Sequence, residues 1–171
     1  MAVAACSICS SRIAPNASSR RFAPQPHSAL AAARPAGVSD RDSLVAGLTA
    51  AVVSALPSSI IALASGIDPF QATLAAGSIV LPHETRRHRL VAAAVPVHLA
   101  LSLGWASVLS RTLPRRRTAV AGAFAGLGIA VLDLGVVGRR FRRIRALPLL
   151  PQLADHVTYG ATVGWVLARR R

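Results

Sequence analysis

Four ionisable side chains interrupt long apolar stretches of this sequence, and they are its clearest candidates for chemistry. They are His98, Asp133, Asp155 and His156. Charged groups inside a bilayer are costly, so they mark proton paths, ligand sites or buried hydrogen-bond networks. The sequence predicts an intramembrane polar network in which Asp133 accepts a hydrogen bond from His98 or His156 and holds the helices in register.

Two other chemistries fit the same residues. Asp133, His98 and His156 can form a proton or small-solute path, because histidine titrates near neutral pH. His98 and His156 can also ligate haem or a metal from two helices. Two histidines are too few for a closed zinc site, and the Cys6-x-x-Cys9 pair has no second pair to complete one. We therefore expect no catalytic site, metal site or cofactor.

Two pairs of glycines have the spacing of close helix contacts. Gly122 and Gly126 form one pair, and Gly160 and Gly164 form the other. Small residues four apart let helix backbones approach where lipid gives no hydrophobic driving force between helices. At about 100° per residue, Asp133 falls within roughly 20° of the first pair's line. The glycines predict helix packing, favoured within the chain over packing in a dimer, with Asp133 facing inward.

The composition indicates a membrane protein. The chain has 171 residues, of which 53% are hydrophobic and only 15% are charged, and its mean hydropathy is +0.48. Ordinary soluble domains carry about 25% charged residues. Disordered chains are less hydrophobic, and two cysteines cannot build a disulfide scaffold.

The apolar runs predict an all-α, polytopic transmembrane helical bundle with four spans, formed by residues 43–171. The runs cover residues 44–64, 90–110, 118–138 and 146–168. A run of 21 residues is about 30 Å long as a helix, which matches the hydrocarbon core. Asp42 or Ser43 is expected to cap the first helix. Residues 70–82 are too few to cross unaided and predict a short re-entrant or interfacial helix.

Residues 1–42 predict a disordered basic tail or a targeting segment. They are rich in Ala, Ser, Pro and Arg, with no acidic residue before Asp40. Such a composition cannot bury a core, and it also matches organellar transit peptides. We therefore expect a bacterial cytoplasmic (inner) membrane protein, or an organellar one if this segment is a transit peptide.

All 20 basic residues are arginines, and the net charge is +14. They cluster between the apolar runs, where they can attract anionic lipid headgroups. We expect the lipid bilayer as partner and no nucleic acid, because motifs and aromatic residues for base stacking are lacking. A homo-oligomer is compatible with the sequence. The positive-inside rule leaves the orientation open, since the two sides carry nearly equal numbers of arginines.

Part of the chain resembles a family of small bacterial membrane proteins. The stretch His156-Val-Thr-Tyr-Gly-Ala-Thr-Val-Gly164, preceded by Leu-Pro-Leu-Leu-Pro-Gln, is similar to the last helix of uncharacterised YagU-like inner-membrane proteins. His98 is similar to a histidine in their second helix. The resemblance covers residues 95–168 and implies a four-helix inner-membrane protein, without a known reaction.

These observations predict a non-enzymatic accessory or structural membrane component with a buried His/Asp network. The alternative is a small transporter or proton-coupled permease subunit that uses Asp133, His98 and His156. A haem-binding membrane protein is the third hypothesis.

Overall fold

The computed structural model describes residues 39–170, all within one compact unit, and it is helical throughout with no strand among those residues. The described part of the chain contains seven α-helices: α1 Asp40–Val53, α2 Leu56–Ala64, α3 Gln71–Gly77, α4 Arg87–Thr112, α5 Thr118–Leu132, α6 Arg142–Arg145 and α7 Leu149–Arg170. After α5 the helix continues as a π-helix over Asp133–Val137 and a 3₁₀-helix over Gly138–Arg140. The all-α prediction is confirmed. Residues 1–38, which hold most of the predicted tail, lie outside the described residues.

Within residues 39–170, three helical segments are long and apolar enough to cross a membrane: Asp40–Ala64, Arg87–Thr112 and Thr118–Arg140. Each contains one of the first three predicted runs. Many of their large apolar side chains point outward, with Val52 71%, Phe124 71% and Val131 65% exposed. Exposed apolar surface of this extent is typical of helices that face lipid.

The first of these segments contains a break between α1 and α2. Ser54 and Ala55 keep right-handed torsions (φ −69°, ψ −17° and φ −80°, ψ −11°), so the chain bends without reversing. Pro57 lies at the second position of α2 and has no N–H to donate to the carbonyl of Val53. The interruption therefore leaves backbone groups at mid-segment that need other partners.

The start of α1 corrects one prediction. Ser39, not Asp42 or Ser43, is the N-cap. The backbone N–H of Asp42 donates to the Ser39 hydroxyl at 3.2 Å, and the backbone N–H of Ser39 donates to the Asp42 carboxylate at 3.3 Å. This reciprocal pair is a capping box with Asp in the place usually taken by Glu or Gln.

The short apolar stretch at residues 70–82 forms α3, which is seven residues long. At about 1.5 Å per residue it measures roughly 10 Å and cannot cross a bilayer. It packs against the beginning of α4, where Gly77 lies against the backbone of Leu90. The preceding loop is tied to α4 by two hydrogen bonds from the Arg87 guanidinium to the Asp68 carboxylate, at 2.6 and 2.8 Å. These bonds hold the pKa of Asp68 below its ordinary value.

The last helix, α7, is the most enclosed of the long helices. It packs most extensively on α5, and also on α1, α2 and α4. Its Tyr159, Val163 and Leu167 are buried and belong to the main apolar core, together with Ala46, Ala50 and Ala106 from α1 and α4. The helix that carries Asp155 and His156 thus lies among the three more apolar segments.

Candidate functional site

The four predicted packing glycines face one another across α5 and α7. A Cβ atom on Gly122 would overlap the carbonyl oxygen of Gly160, and one on Gly160 would overlap the carbonyl oxygen of Gly122. Gly126 lies in the same way against the backbone of His156, and Gly164 lies against that of Thr118. The two glycine pairs interdigitate within one chain, and the antiparallel backbones touch directly.

This close approach brings Asp133 to His156. Asp133 is the first residue of the π-helix that follows α5, and its Oδ2 lies 3.5 Å from Nε2 of His156. The side chains are 26% and 19% exposed, respectively. The π-turn is closed by the N–H of Gly138 donating to the Asp133 carbonyl. Single π-turns occur frequently at functional sites.

A hydrogen bond to the backbone orients the imidazole ring of His156. Nδ1 lies 2.7 Å from the carbonyl oxygen of Gln152, and a carbonyl can only accept, so Nδ1 carries a hydrogen. When the imidazole is neutral, Nε2 is therefore an acceptor. The same Nε2 lies 3.5 Å from Oδ2 of Asp133, so the carboxyl group of the segment after α5 faces the imidazole of α7.

His98 has a different partner. Its Nε2 donates to the carbonyl oxygen of Ala51 at 2.9 Å, since the carbonyl has no hydrogen to give. Ala51 lies in the last turn of α1, where helix carbonyls lose their intrahelical partners. An unsatisfied backbone group in hydrocarbon costs several kcal/mol. His98 therefore stabilises the end of α1 across the contact between α1 and α4.

Asp155 binds a backbone group on the α2 side of the break between α1 and α2. Its Oδ1 accepts a hydrogen bond of 2.8 Å from the backbone N–H of Ser58, in the first turn of α2. In an uninterrupted helix this N–H would donate to the carbonyl of Ser54. A carboxylate at a helix start is also favoured by the helix dipole. Asp155 thus caps α2 from the neighbouring helix.

The predicted network is consequently divided between two places. Asp133 and His156 form one direct contact, whereas His98 and Asp155 each bind a backbone group beside the break between α1 and α2. Of the two donors proposed for Asp133, the structure places His156 beside it and pairs His98 with Ala51.

Sequence reasoning missed a fifth polar side chain, Tyr159. Its hydroxyl donates to the carbonyl oxygen of Ser102 and joins α7 to α4. Tyr159 is the only tyrosine in the sequence and lies three residues after His156, close to the same helical face. A buried tyrosine hydroxyl usually has a hydrogen-bond partner. A lone tyrosine in an apolar run could therefore have been predicted to bond a neighbouring helix.

Within residues 39–170, no group of three or more His, Cys, Asp or Glu side chains is placed to hold a metal ion. Cys6 and Cys9 lie outside the described residues. Comparisons with protein-family models, curated proteins and solved structures find no match for this chain. Function is therefore inferred from geometry.

A Cβ atom at Gly126 should weaken the contact between α5 and α7. We expect Gly126→Ala to lower the free energy of unfolding by about 1–3 kcal/mol, because the added methyl group meets the His156 carbonyl. The matched control is Gly128→Ala on the same helix, where a Cβ atom has nothing within 4 Å. Thermal unfolding in detergent should show a lower Tm for the first variant only. Equal Tm values would contradict the contact.

Removal of the Asp155 carboxylate should destabilise the start of α2. We expect Asp155→Ala to cost about 1 kcal/mol, as the loss of a helix cap does. Asp155→Asn keeps an oxygen that can accept from Ser58 and should recover most of the loss. The measurement is the detergent midpoint for unfolding of the three proteins. If Ala and Asn have the same effect, the oxygen does not act as a cap.

Proposed function

We propose that this chain crosses the bilayer four times, with α7 as the fourth crossing. The proposal is supported by two ion pairs that join the start of α1 to the ends of α4 and α7. Arg170, at the end of α7, lies 3.2 Å from Asp42, and Arg111, at the end of α4, lies 3.7 Å from Asp40. Both contacts involve the first turn of α1.

The parity of crossings then supports four spans. A chain that crosses three times ends on the side opposite its start, whereas one that crosses four times returns. The contact between Asp42 and Arg170 joins the start of the first crossing segment to the end of α7. With 22 residues at about 1.5 Å each, α7 is roughly 33 Å long, sufficient for a hydrocarbon core of about 30 Å.

The polarity of α7 does not oppose this proposal. Gln152, Asp155 and His156 reduce its hydropathy, but intramembrane polar residues are tolerated when they face other helices and have partners. Asp155 bonds Ser58, and His156 contacts Gln152 and Asp133. Neighbouring helices therefore take the place of water around the polar side of α7.

We infer a non-enzymatic accessory or structural role, in a bacterial inner membrane or an organellar membrane. His98 and Asp155 are engaged with backbone groups at a helix break, and His156 is engaged with α5. Such contacts make the polar groups parts of the scaffold. Haem ligation through His156 would require Nε2 to leave Asp133, which makes the haem hypothesis weaker.

Proton-coupled transport is the second candidate function. It is favoured by the 3.5 Å approach of the Asp133 carboxyl to Nε2 of His156 beside a π-turn. Proton relays in pumps and transporters are built from such Asp and His side chains. His98 does not belong to this pair, because its Nε2 is bonded to Ala51.

Cysteine labelling tests the number of crossings. In a background where Cys6 and Cys9 are Ser, single variants Arg41→Cys, Arg116→Cys, Arg142→Cys and Arg169→Cys are treated in intact vesicles with a membrane-impermeant maleimide. We expect positions 41, 116 and 169 to react from one side and position 142 from the other. If position 169 reacts from the same side as position 142, α7 does not cross.

Substitution of Asp133 separates the structural role from the transport role. An amide at this position can donate to Nε2 of neutral His156, so Asp133→Asn should keep the contact and most of the thermal stability. The proton flux of vesicles is measured with a pH-sensitive dye inside them. We expect no flux above that of empty vesicles for either protein. Flux in the parent that disappears in a stable variant would overturn the structural role in favour of transport.

A further inference from the structure

The turn between α5 and α7 carries a group of arginines that have no acidic partner in the part of the chain that the structure describes. Four of them line one open cleft of about 430 Å³ together with Ala146: Arg139, Arg140, Arg142 and Arg145. All four side chains are exposed, and none forms an ion pair or hydrogen bond within residues 39–170. Positive charge is therefore concentrated around this cleft, and no carboxylate of residues 39–170 compensates it.

Several arginines at other helix ends form ion pairs with carboxylates. Arg87 is paired with Asp68, Arg89 with Glu84, and Arg170 with Asp42. Arg143, within the same turn, donates to the backbone carbonyl of Glu84 at 3.4 Å. What distinguishes the four cleft arginines is that they share one cleft and have no carboxylate partner among residues 39–170.

The backbone of this turn explains why the four guanidinium groups share one cleft. A 3₁₀-turn ends at Arg140, Phe141 is extended (φ −115°, ψ 112°), and α6 begins at Arg142. The bend is closed by Gly138, which is buried, and a Cβ atom there would lie 2.8 Å from Cγ2 of Ile144. The chain before and after Phe141 therefore folds around the same space.

We propose that this cleft binds the phosphate group of an anionic phospholipid. Guanidinium groups match phosphate oxygens in charge and in bidentate hydrogen-bond geometry. The volume is within the range of small-ligand sites. The cleft follows directly on the crossing segment Thr118–Arg140, where a span meets the headgroup layer and basic clusters bind anionic lipids. The proposal rests on the proposed membrane location.

Two charge-matched variants test this site. The cleft variant replaces Arg139, Arg140, Arg142 and Arg145 with Gln. The control variant replaces four other exposed arginines without acidic partners in the described chain, Arg41, Arg86, Arg116 and Arg117, with Gln. Dihexanoyl phosphatidylglycerol, dihexanoyl phosphatidylcholine and inorganic phosphate are each titrated calorimetrically into the detergent-solubilised full chain. Circular dichroism verifies the helix content, and the double variant Arg142→Gln/Arg145→Gln is used if the quadruple one does not fold.

We expect phosphatidylglycerol to bind the parent protein, with at least a tenfold loss of affinity in the cleft variant and less than a twofold loss in the control. Equal losses in both variants, or equal binding of phosphatidylcholine, would overturn the site. Inorganic phosphate bound as tightly as phosphatidylglycerol, with the same dependence on the cleft, would support a phosphate site but assign it to free phosphate. Resistance to alkaline carbonate extraction, measured on the same variants, reports separately on the membrane location.

Discussion

The direct backbone contact between α5 and α7 is the interaction on which the rest of this structure depends. Gly122 and Gly126 meet Gly160 and the backbone of His156 at distances that no side chain would allow. In lipid, such packing replaces the hydrophobic effect as the source of helix association. With α7 held against α5, its remaining surface faces α1 and α4, and its polar residues are turned toward other helices.

The second constraint is the break between α1 and α2. A proline inside a membrane segment leaves backbone groups unpaired, and in hydrocarbon water cannot replace the lost partners. The chain supplies two partners from elsewhere, the His98 imidazole for Ala51 and the Asp155 carboxylate for Ser58. Two of the four groups in the predicted polar network, His98 and Asp155, thus contact backbone beside a helix interruption that lies 47 and 97 residues away in sequence.

Apolar length and glycine spacing predict much of the fold. The first three runs correspond within a few residues to the three segments that are apolar enough to cross a membrane. Asp133, which aligns with Gly126 on the helix, lies beside His156 of α7. The prediction of the first cap was wrong because it considered only residues next to the apolar run. Ser39, which pairs with Asp42, lies further toward the N-terminus. A search for a Ser-x-x-Asp capping box in the residues before the run would have identified Ser39 as the N-cap.

Other features could not be predicted because they depend on how separate helices meet. The partner of His98 requires knowledge of where α4 crosses α1, and the π-turn at Asp133 depends on backbone hydrogen bonds that no residue type specifies. The hydropathy of α7 is lowered by its polar residues, and it is not among the three segments that are apolar enough to cross a membrane. The partners of Asp155 and His156 are visible only in the tertiary structure.

The most direct test of this account is backbone hydrogen exchange of the full chain in lipid nanodiscs, resolved helix by helix. If α7 is enclosed by α1, α4 and α5 within the bilayer, its amides from Tyr159 to Val166 should exchange as slowly as those of α5, over hours or longer. If these amides exchange within seconds to minutes while those of α4 and α5 remain protected, α7 lies outside the membrane and the account is wrong.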